Sequence, residues 1–261
     1  MIEGEVFIEH GGVTAAVIPY RGALVSRLTV DGRELLYLDE ASVLDDTKSV
    51  RGGIPILFPF CGSLPDGRLI ASGTRMKQHG FARDRAGTIA EQRAGYLRLT
   101  LDPDADSRAI YPWDFHLEQA ITIVPGGLHI ELLIKNNSDR PMPVSPGWHP
   151  YFKCPAAQKK DIQTQIAGFD NSRFHDEGEF NIGIVAPADG RSEHIVPGLG
   201  KIRITAAPDM RHLQFWSIKG RDFICIEPFT GAPNSINTEA APLVQPGEAR
   251  CYWMRIELVA D

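Results

Sequence analysis

The stretch Lys77-Gln78-His79-Gly80-Phe81-Ala82-Arg83 sets an ammonium, an amide, an imidazole and a guanidinium beside one glycine, inside a region dense in turn formers. Histidine has the unperturbed pKa nearest neutrality, so His79 is a natural group for moving a proton. A second histidine lies in Ser145-Pro146-Gly147-Trp148-His149-Pro150-Tyr151-Phe152, and a carboxylate in Ile224-Cys225-Ile226-Glu227-Pro228-Phe229. Two histidines and a glutamate, each framed by aromatics and prolines, point to a small-molecule site.

Each of the three also has a structural reading. Gly80 lets the backbone at His79 turn sharply or approach a ligand; the ring could equally tie the loop together through a backbone carbonyl. Pro150 biases His149 towards extended backbone and fixes the direction of its imidazole. Trp148 and Tyr151 are then available to wall a pocket, or the ring simply stacks in an aromatic core. Glu227 closes the apolar run Phe223-Ile224-Cys225-Ile226, which places it at the end of a buried strand. An isolated charge there is costly, so it must be paired, with Arg51 or Arg83 for example, or functional. Arg51, Arg83 and Lys77, in Gly/Pro-rich loops, are candidates for gripping hydroxyls, carboxylates or phosphate.

Other chemistries fail on spacing. The chain has no GxGxxG opening a βαβ unit, no Walker loop, no HEXXH, no paired-Cys zinc pattern and no GxSxG elbow. His79, His149 and Glu227 could form a two-histidine, one-carboxylate metal site. Such sites draw two ligands from close positions on one strand, and the wide spread of these three argues against it.

The elements that must position these groups are short β-branched and aromatic runs separated by Gly, Pro, Asn and Asp. Residues 5–9 and 13–18 flank Gly11-Gly12 as a hairpin. Residues 23–30 and 34–38 flank Asp31-Gly32, a strong hairpin turn. Residues 96–101, 115–124, 128–135, 202–205, 213–218 and 252–259 continue the pattern, and no long helical periodicity interrupts it. The expectation is an all-β chain, a large antiparallel sandwich forming one domain over residues 1–261. Two segments, 50–85 and 137–155, break the texture with glycines and prolines and are expected to hang as loops over one sheet face.

The bulk numbers agree. With 43% hydrophobic and 23% charged residues the chain can bury a core without staples. Its 33 acidic against 27 basic residues disfavour a nucleic-acid surface. No apolar run reaches the roughly 18 residues of a membrane helix, and no secretion signal is visible at Met1-Ile2-Glu3-Gly4-Glu5. Cys61, Cys154, Cys225 and Cys251 are scattered, as reduced thiols in a cytoplasmic protein would be. Oligomeric state is not set by the sequence, and a monomer is compatible with it.

Arg51-Gly52-Gly53-Ile54-Pro55 with Phe58-Pro59, His79-Gly80-Phe81-Ala82-Arg83, His149-Pro150-Tyr151-Phe152 and Glu227-Pro228 follow one another in this order. In motif and order they resemble the aldose 1-epimerase (galactose mutarotase-like) family, most of all its hexose-6-phosphate epimerase branch. The resemblance covers nearly the whole chain. It implies a β-supersandwich of antiparallel strands with a sugar on an open concave face, and no cofactor. It implies interconversion of α and β anomers at C1 of an aldohexose or its 6-phosphate, with Glu227 as base, His149 as acid and His79 near the ring oxygen. An enzyme of this kind needs Glu227 and His149 on opposite sides of the pyranose ring, an ionised base and a protonated acid; a non-catalytic sugar sensor on the same fold would not.

The resemblance also implies phosphate contacts from Arg51 and Arg83, and sugar contacts from Gln78, Lys77 and Trp148. The family's Tyr-x-Asp-Lys segment has its nearest match in Phe174-His175-Asp176-Glu177, which leaves Asp176 as a sugar-hydroxyl ligand but replaces the lysine by an acid.

Overall fold

Alternation along the sequence becomes alternation in burial. In the computed structural model, which describes residues 2–259, Phe115–Val124 is a strand whose residues are buried and half-buried in strict turn. It pairs antiparallel with Gly127–Asn136, and the two lie inside an eight-stranded sheet. In spatial order that sheet runs Gln163–Thr164, Arg191–Val196, Gly200–Ala206, Ala249–Val259, Gly127–Asn136, Phe115–Val124, Tyr96–Leu101 and Thr88–Arg93. A four-stranded meander, Val6–His10, Val13–Ile18, Leu24–Val30 and Arg33–Glu34, precedes it. Asp31 and Gly32 both carry positive φ, 48° and 78°, the primed turn whose twist matches a hairpin. The strand expected over 34–38 stops at Glu34; Leu36 and Leu38 make only isolated bridges, to Phe152 and Gly52.

A six-stranded sheet carries the remaining elements. Phe180–Val185, His212–Ser217, Phe223–Phe229, Gly147–Trp148 and Ile56–Leu57 are neighbours in that order, and Tyr151–Lys153 also pairs with Phe223–Phe229. The segment 137–155, expected as a loop over a sheet face, instead places Gly147–Trp148 and Tyr151–Lys153 in this sheet and pairs Met142–Pro143 with Leu243–Val244 in a separate two-stranded sheet. Its prolines remove ladder donors and cut the pairing into two- and three-residue pieces. Phe223–Phe229 is buried along its whole length. Ile224 and Ile226 join the main core, which also takes Leu117 and Leu132 from the eight-stranded sheet and Val13 and Val25 from the meander. By period two, Phe223, Cys225 and Glu227 face the other way. Among the described residues no α-helix exceeds six residues, and none is long and apolar enough to cross a membrane.

Candidate active site

The face of the six-stranded sheet that carries Glu227 opens into a cavity of about 550 Å³. Gln214 stands opposite Glu227 across the strand pair, and Trp216 and Tyr151 both stand opposite Cys225. These side chains share a face because antiparallel partners point the same way. Residues 49–83 close one side of the cavity, through Ser49, Arg51, Gly62, Ser63, Gln78, His79 and Arg83.

His149 is pinned from several sides. Its backbone N–H donates to the Pro55 carbonyl at 3.1 Å, and its ring stacks on Tyr151 with centroids 4.6 Å apart and planes 8° from parallel. Its Nε2 lies 3.4 Å from Glu227 Oε2, while Nδ1 is buried with no partner. Burial pushes the His149 imidazole well below its ordinary pKa, with His79 and Arg83 adding to the effect. Burial also pushes the Glu227 carboxyl well above its usual range, which the Arg83 charge only partly offsets. Neither group has enough water or enough partners to favour its charged form.

That corrects two expectations. Glu227 and His149 are side by side rather than separated by a ring, and their environments favour a neutral acid and a neutral imidazole at rest. Of the two readings of Glu227, the ion pair with Arg51 or Arg83 does not form; the group next to its carboxyl is the His149 imidazole.

His79 ties its loop together and lines the cavity. Its backbone is left-handed, φ 68°, and its N–H donates to Gly62 O at 2.8 Å. The Gly62 N–H in turn donates to His79 Nδ1 at 3.0 Å, so the ring ties the loop to an amide rather than to a carbonyl. Burial first and Arg83 second bring its pKa down to about 3. The ring is therefore neutral at ordinary pH, with Nδ1 accepting and the proton on Nε2. A donor is left over, 5.3 Å between ring centroids from His149.

Arg83 is nearly buried; its Nη2 donates to Ser49 Oγ at 3.3 Å and to the Gln78 carbonyl at 3.1 Å, and its Nε has no partner. Arg51 lies over the Trp216 ring with Cζ 5.7 Å from its centroid, a cation–π contact at the cavity wall. Gln78 lies on the rim.

Three expected site residues are elsewhere. Trp148 is fully buried on the core side, donating to Gln119 Oε1 at 3.3 Å, because its neighbour His149 takes the cavity. Lys77 is half exposed and ion-paired with Asp84, away from the lining. Asp176 is held by Lys159 Nζ at 2.6 Å and by the Gly220 N–H at 2.9 Å, so its oxygens are committed to the fold. In its place the cavity has Glu179, Asn181 and Gln214, which the motif reading missed. The signal was present for Gln214 and Trp216: a buried-strand run that alternates Leu213 and Phe215 with an amide and an indole puts both on one face. Trp216 Nε1 donates to Glu179 Oε1 at 2.7 Å and so orients that carboxylate.

The sequence profile of the family described as aldose 1-epimerase matches residues 5–179. LacX of Lactococcus lactis subsp. lactis is 31% identical over 146 residues, 52% of this chain and 46% of LacX. A Cenchrus ciliaris protein provisionally named glucose-6-phosphate 1-epimerase is 31% identical over 150 residues, 53% of this chain and 43% of its own length. The match thus spans about half the length of these curated relatives. Among solved structures, Slr1438 of Synechocystis sp. PCC 6803 superposes with a TM-score of 0.90 at 31% identity, over 97% of this chain and 94% of that one. A galactose mutarotase-like protein from Lactobacillus casei ATCC 334 shares the β-sandwich fold at a TM-score of 0.78 and 21% identity, over 98% of this chain and 100% of that one.

Proposed function

From the premise that this chain belongs to the aldose 1-epimerase family, we propose that it interconverts the α and β anomers of an aldohexose or its 6-phosphate by ring opening and reclosure. The observation that carries the reading is the contact between Glu227 and His149, 3.4 Å apart in a cavity of hexose scale. The opposite-sided arrangement expected from the resemblance is not required in this reading: the hemiacetal O1 and the ring oxygen are both bonded to C1, so two adjacent groups can serve both. Glu227 takes the O1 proton while His149 delivers one to the ring oxygen, and the C1–O5 bond breaks to leave the aldehyde. C1 then rotates about its bond to C2, and the reverse transfers close the ring on the other carbonyl face.

The proton count explains the unusual environment. Ring opening starts from the carboxylate–imidazolium form, reached from the neutral pair by proton transfer across the 3.4 Å contact, and leaves carboxylic acid and imidazole. Both states hold one proton between the two groups. The neutral pair that burial favours is the one belonging to the open-chain sugar. His79 Nε2–H is placed in this reading as the donor near the ring oxygen.

Arg83 and Arg51 supply the positive side of the cavity. Arg83 is a nearly buried cation with an unused donor and no acid in contact, an arrangement suited to a phosphate. The name of the Cenchrus ciliaris relative points the same way. Glu179, Asn181 and Gln214 then read sugar hydroxyls in the role first given to Asp176. We read residues 1–261 as one domain, and the four free cysteines as thiols kept by a reducing compartment such as the cytoplasm.

Exchange NMR of the anomeric protons of glucose, galactose and glucose 6-phosphate tests the proposal. Faster α/β exchange with at least one of them is expected, fastest with the phosphate. Binding without acceleration would make the chain a sugar sensor instead.

A further inference from the structure

Beside the acid–base pair lies a buried thiol that the proposed reaction does not use. Cys225 shares its strand and its face with Glu227, two residues away, and is fully buried. A ring nitrogen of His149, the Cys225 Sγ and a Glu227 carboxylate oxygen all lie within 4.8 Å of one another. We propose that these three side chains bind a borderline-soft divalent cation of the zinc class, and that such an ion switches off the acid–base pair. The switching half of the proposal rests on the function proposed above; the binding half does not.

The donor set is the first argument. Thiolate, imidazole and carboxylate together suit zinc-type ions, whereas magnesium and calcium take shells of oxygen ligands. Distance is the second. A tetrahedral ion with Zn–N and Zn–O bonds of about 2.0–2.2 Å sets those two atoms about 3.3–3.5 Å apart. His149 Nε2 and Glu227 Oε2 are 3.4 Å apart without any ion. Cys225 must come to about 3.6 Å from each, a side-chain adjustment of about 1 Å.

Binding forms the S–metal bond as the thiol releases its proton to solvent, along with the proton of Glu227 where the carboxyl holds one. His149 and Glu227 are then occupied as ligands and can no longer exchange protons with a sugar. Arg83 and Arg51 oppose any cation, so ions without strong thiolate bonds are excluded.

Cobalt titration of the purified chain decides the binding half, because a thiolate–cobalt bond gives a near-ultraviolet charge-transfer band. The expected result is a band that saturates at one Co²⁺ per chain, is displaced by equimolar Zn²⁺ and is unaffected by Mg²⁺. It should vanish in Cys225→Ala and Cys225→Ser, two variants so that one folding failure does not end the test. It should persist in Cys251→Ser, which removes the exposed thiol. No band in the wild type, or a band that survives loss of Cys225, overturns the proposal. For the switch, saturating Zn²⁺ should slow anomer exchange more than tenfold in the wild type and leave Cys225→Ala unaffected; undiminished exchange overturns it. A cobalt band in a chain that accelerates no exchange supports the metal site and refutes the epimerase.

Discussion

Two acid–base pairs beside the six-stranded sheet are built in opposite ways: Lys159 and Asp176 lie in the short helix Ala156–Asp161 and a following bend, Glu227 on the strand Phe223–Phe229 with His149 next to it. Lys159, fully buried, reaches Asp176 Oδ1 at 2.6 Å and the Ile218 carbonyl at 2.7 Å, and the Gly220 N–H donates to both Asp176 oxygens at 2.9 and 3.1 Å. The Lys159 hydrogen bond holds the Asp176 carboxyl below its usual range. His149 and Glu227 are 3.4 Å apart, with Nδ1 unpartnered and both groups driven towards neutrality by burial. The first pair is held by several hydrogen bonds to the fold and lies outside the cavity lining. The second is left short of partners, and a group short of partners in a cavity is available for chemistry.

Substitutions should separate the two pairs along different axes. The largest effect is expected at Glu227→Gln and His149→Asn, each slowing anomer exchange by about 10²–10⁴-fold, the scale of general acid–base catalysis. Circular dichroism and melting should show both folded, since neither change leaves a buried charge unpaired. Near-normal rates in either variant would remove the pair from the reaction.

Asp176→Ala should act on stability instead. It leaves the Lys159 ammonium buried without its acid, at a cost of about 3 kcal/mol, readable from urea unfolding. That is a large share of a typical domain's 5–15 kcal/mol, yet the chain should still fold. A loss of sugar affinity with unchanged stability would restore Asp176 as a ligand.

A smaller effect is expected at Arg83→Gln. Losing a charge-assisted contact of about 1.5–3 kcal/mol should lower the preference for glucose 6-phosphate over glucose by about 10–150-fold. An unchanged preference would place the phosphate elsewhere or remove it.

A separate effect is in pH. His79 and His194 are buried with pKa values brought down to about 3, so each stays neutral in the fold and protonates only on unfolding. The unfolded chain then binds more protons between about pH 6.5 and pH 3, and stability must fall as pH falls through that window. His194→Gln should flatten part of the slope without touching exchange, because His194 lies outside the cavity, its Nε2 against Ser192 Oγ at 2.8 Å. An unchanged slope would mean that His194 does not contribute to it.

How far the sequence could be read depended on the kind of information it carries. Strand alternation is local, so Phe115–Val124 and Gly127–Asn136 were legible to within a residue. The glycines and prolines of residues 137–155 look like a loop because local rules cannot see that a buried neighbour, Phe223–Phe229, will accept short paired pieces. Glu227 was legible as a buried carboxylate facing the cavity because a carboxylate ending an apolar run has few structural uses. Asp176 was misread because nothing adjacent in sequence marks Lys159 as its partner, 17 positions away. Trp148 was misread because a residue beside a site residue on a strand faces the opposite way. Glu179 was missed because its signal lies in Trp216, 37 positions on.

The central claim is that the cavity pair short of partners does the chemistry and the hydrogen-bonded pair outside the cavity does not. Anomer exchange per folded molecule, measured by NMR on one sugar for Glu227→Gln and Asp176→Ala side by side, tests it most directly. The account predicts loss of at least about 10²-fold for Glu227→Gln and a wild-type rate for Asp176→Ala. Equal losses in both, or the reverse order, would contradict it.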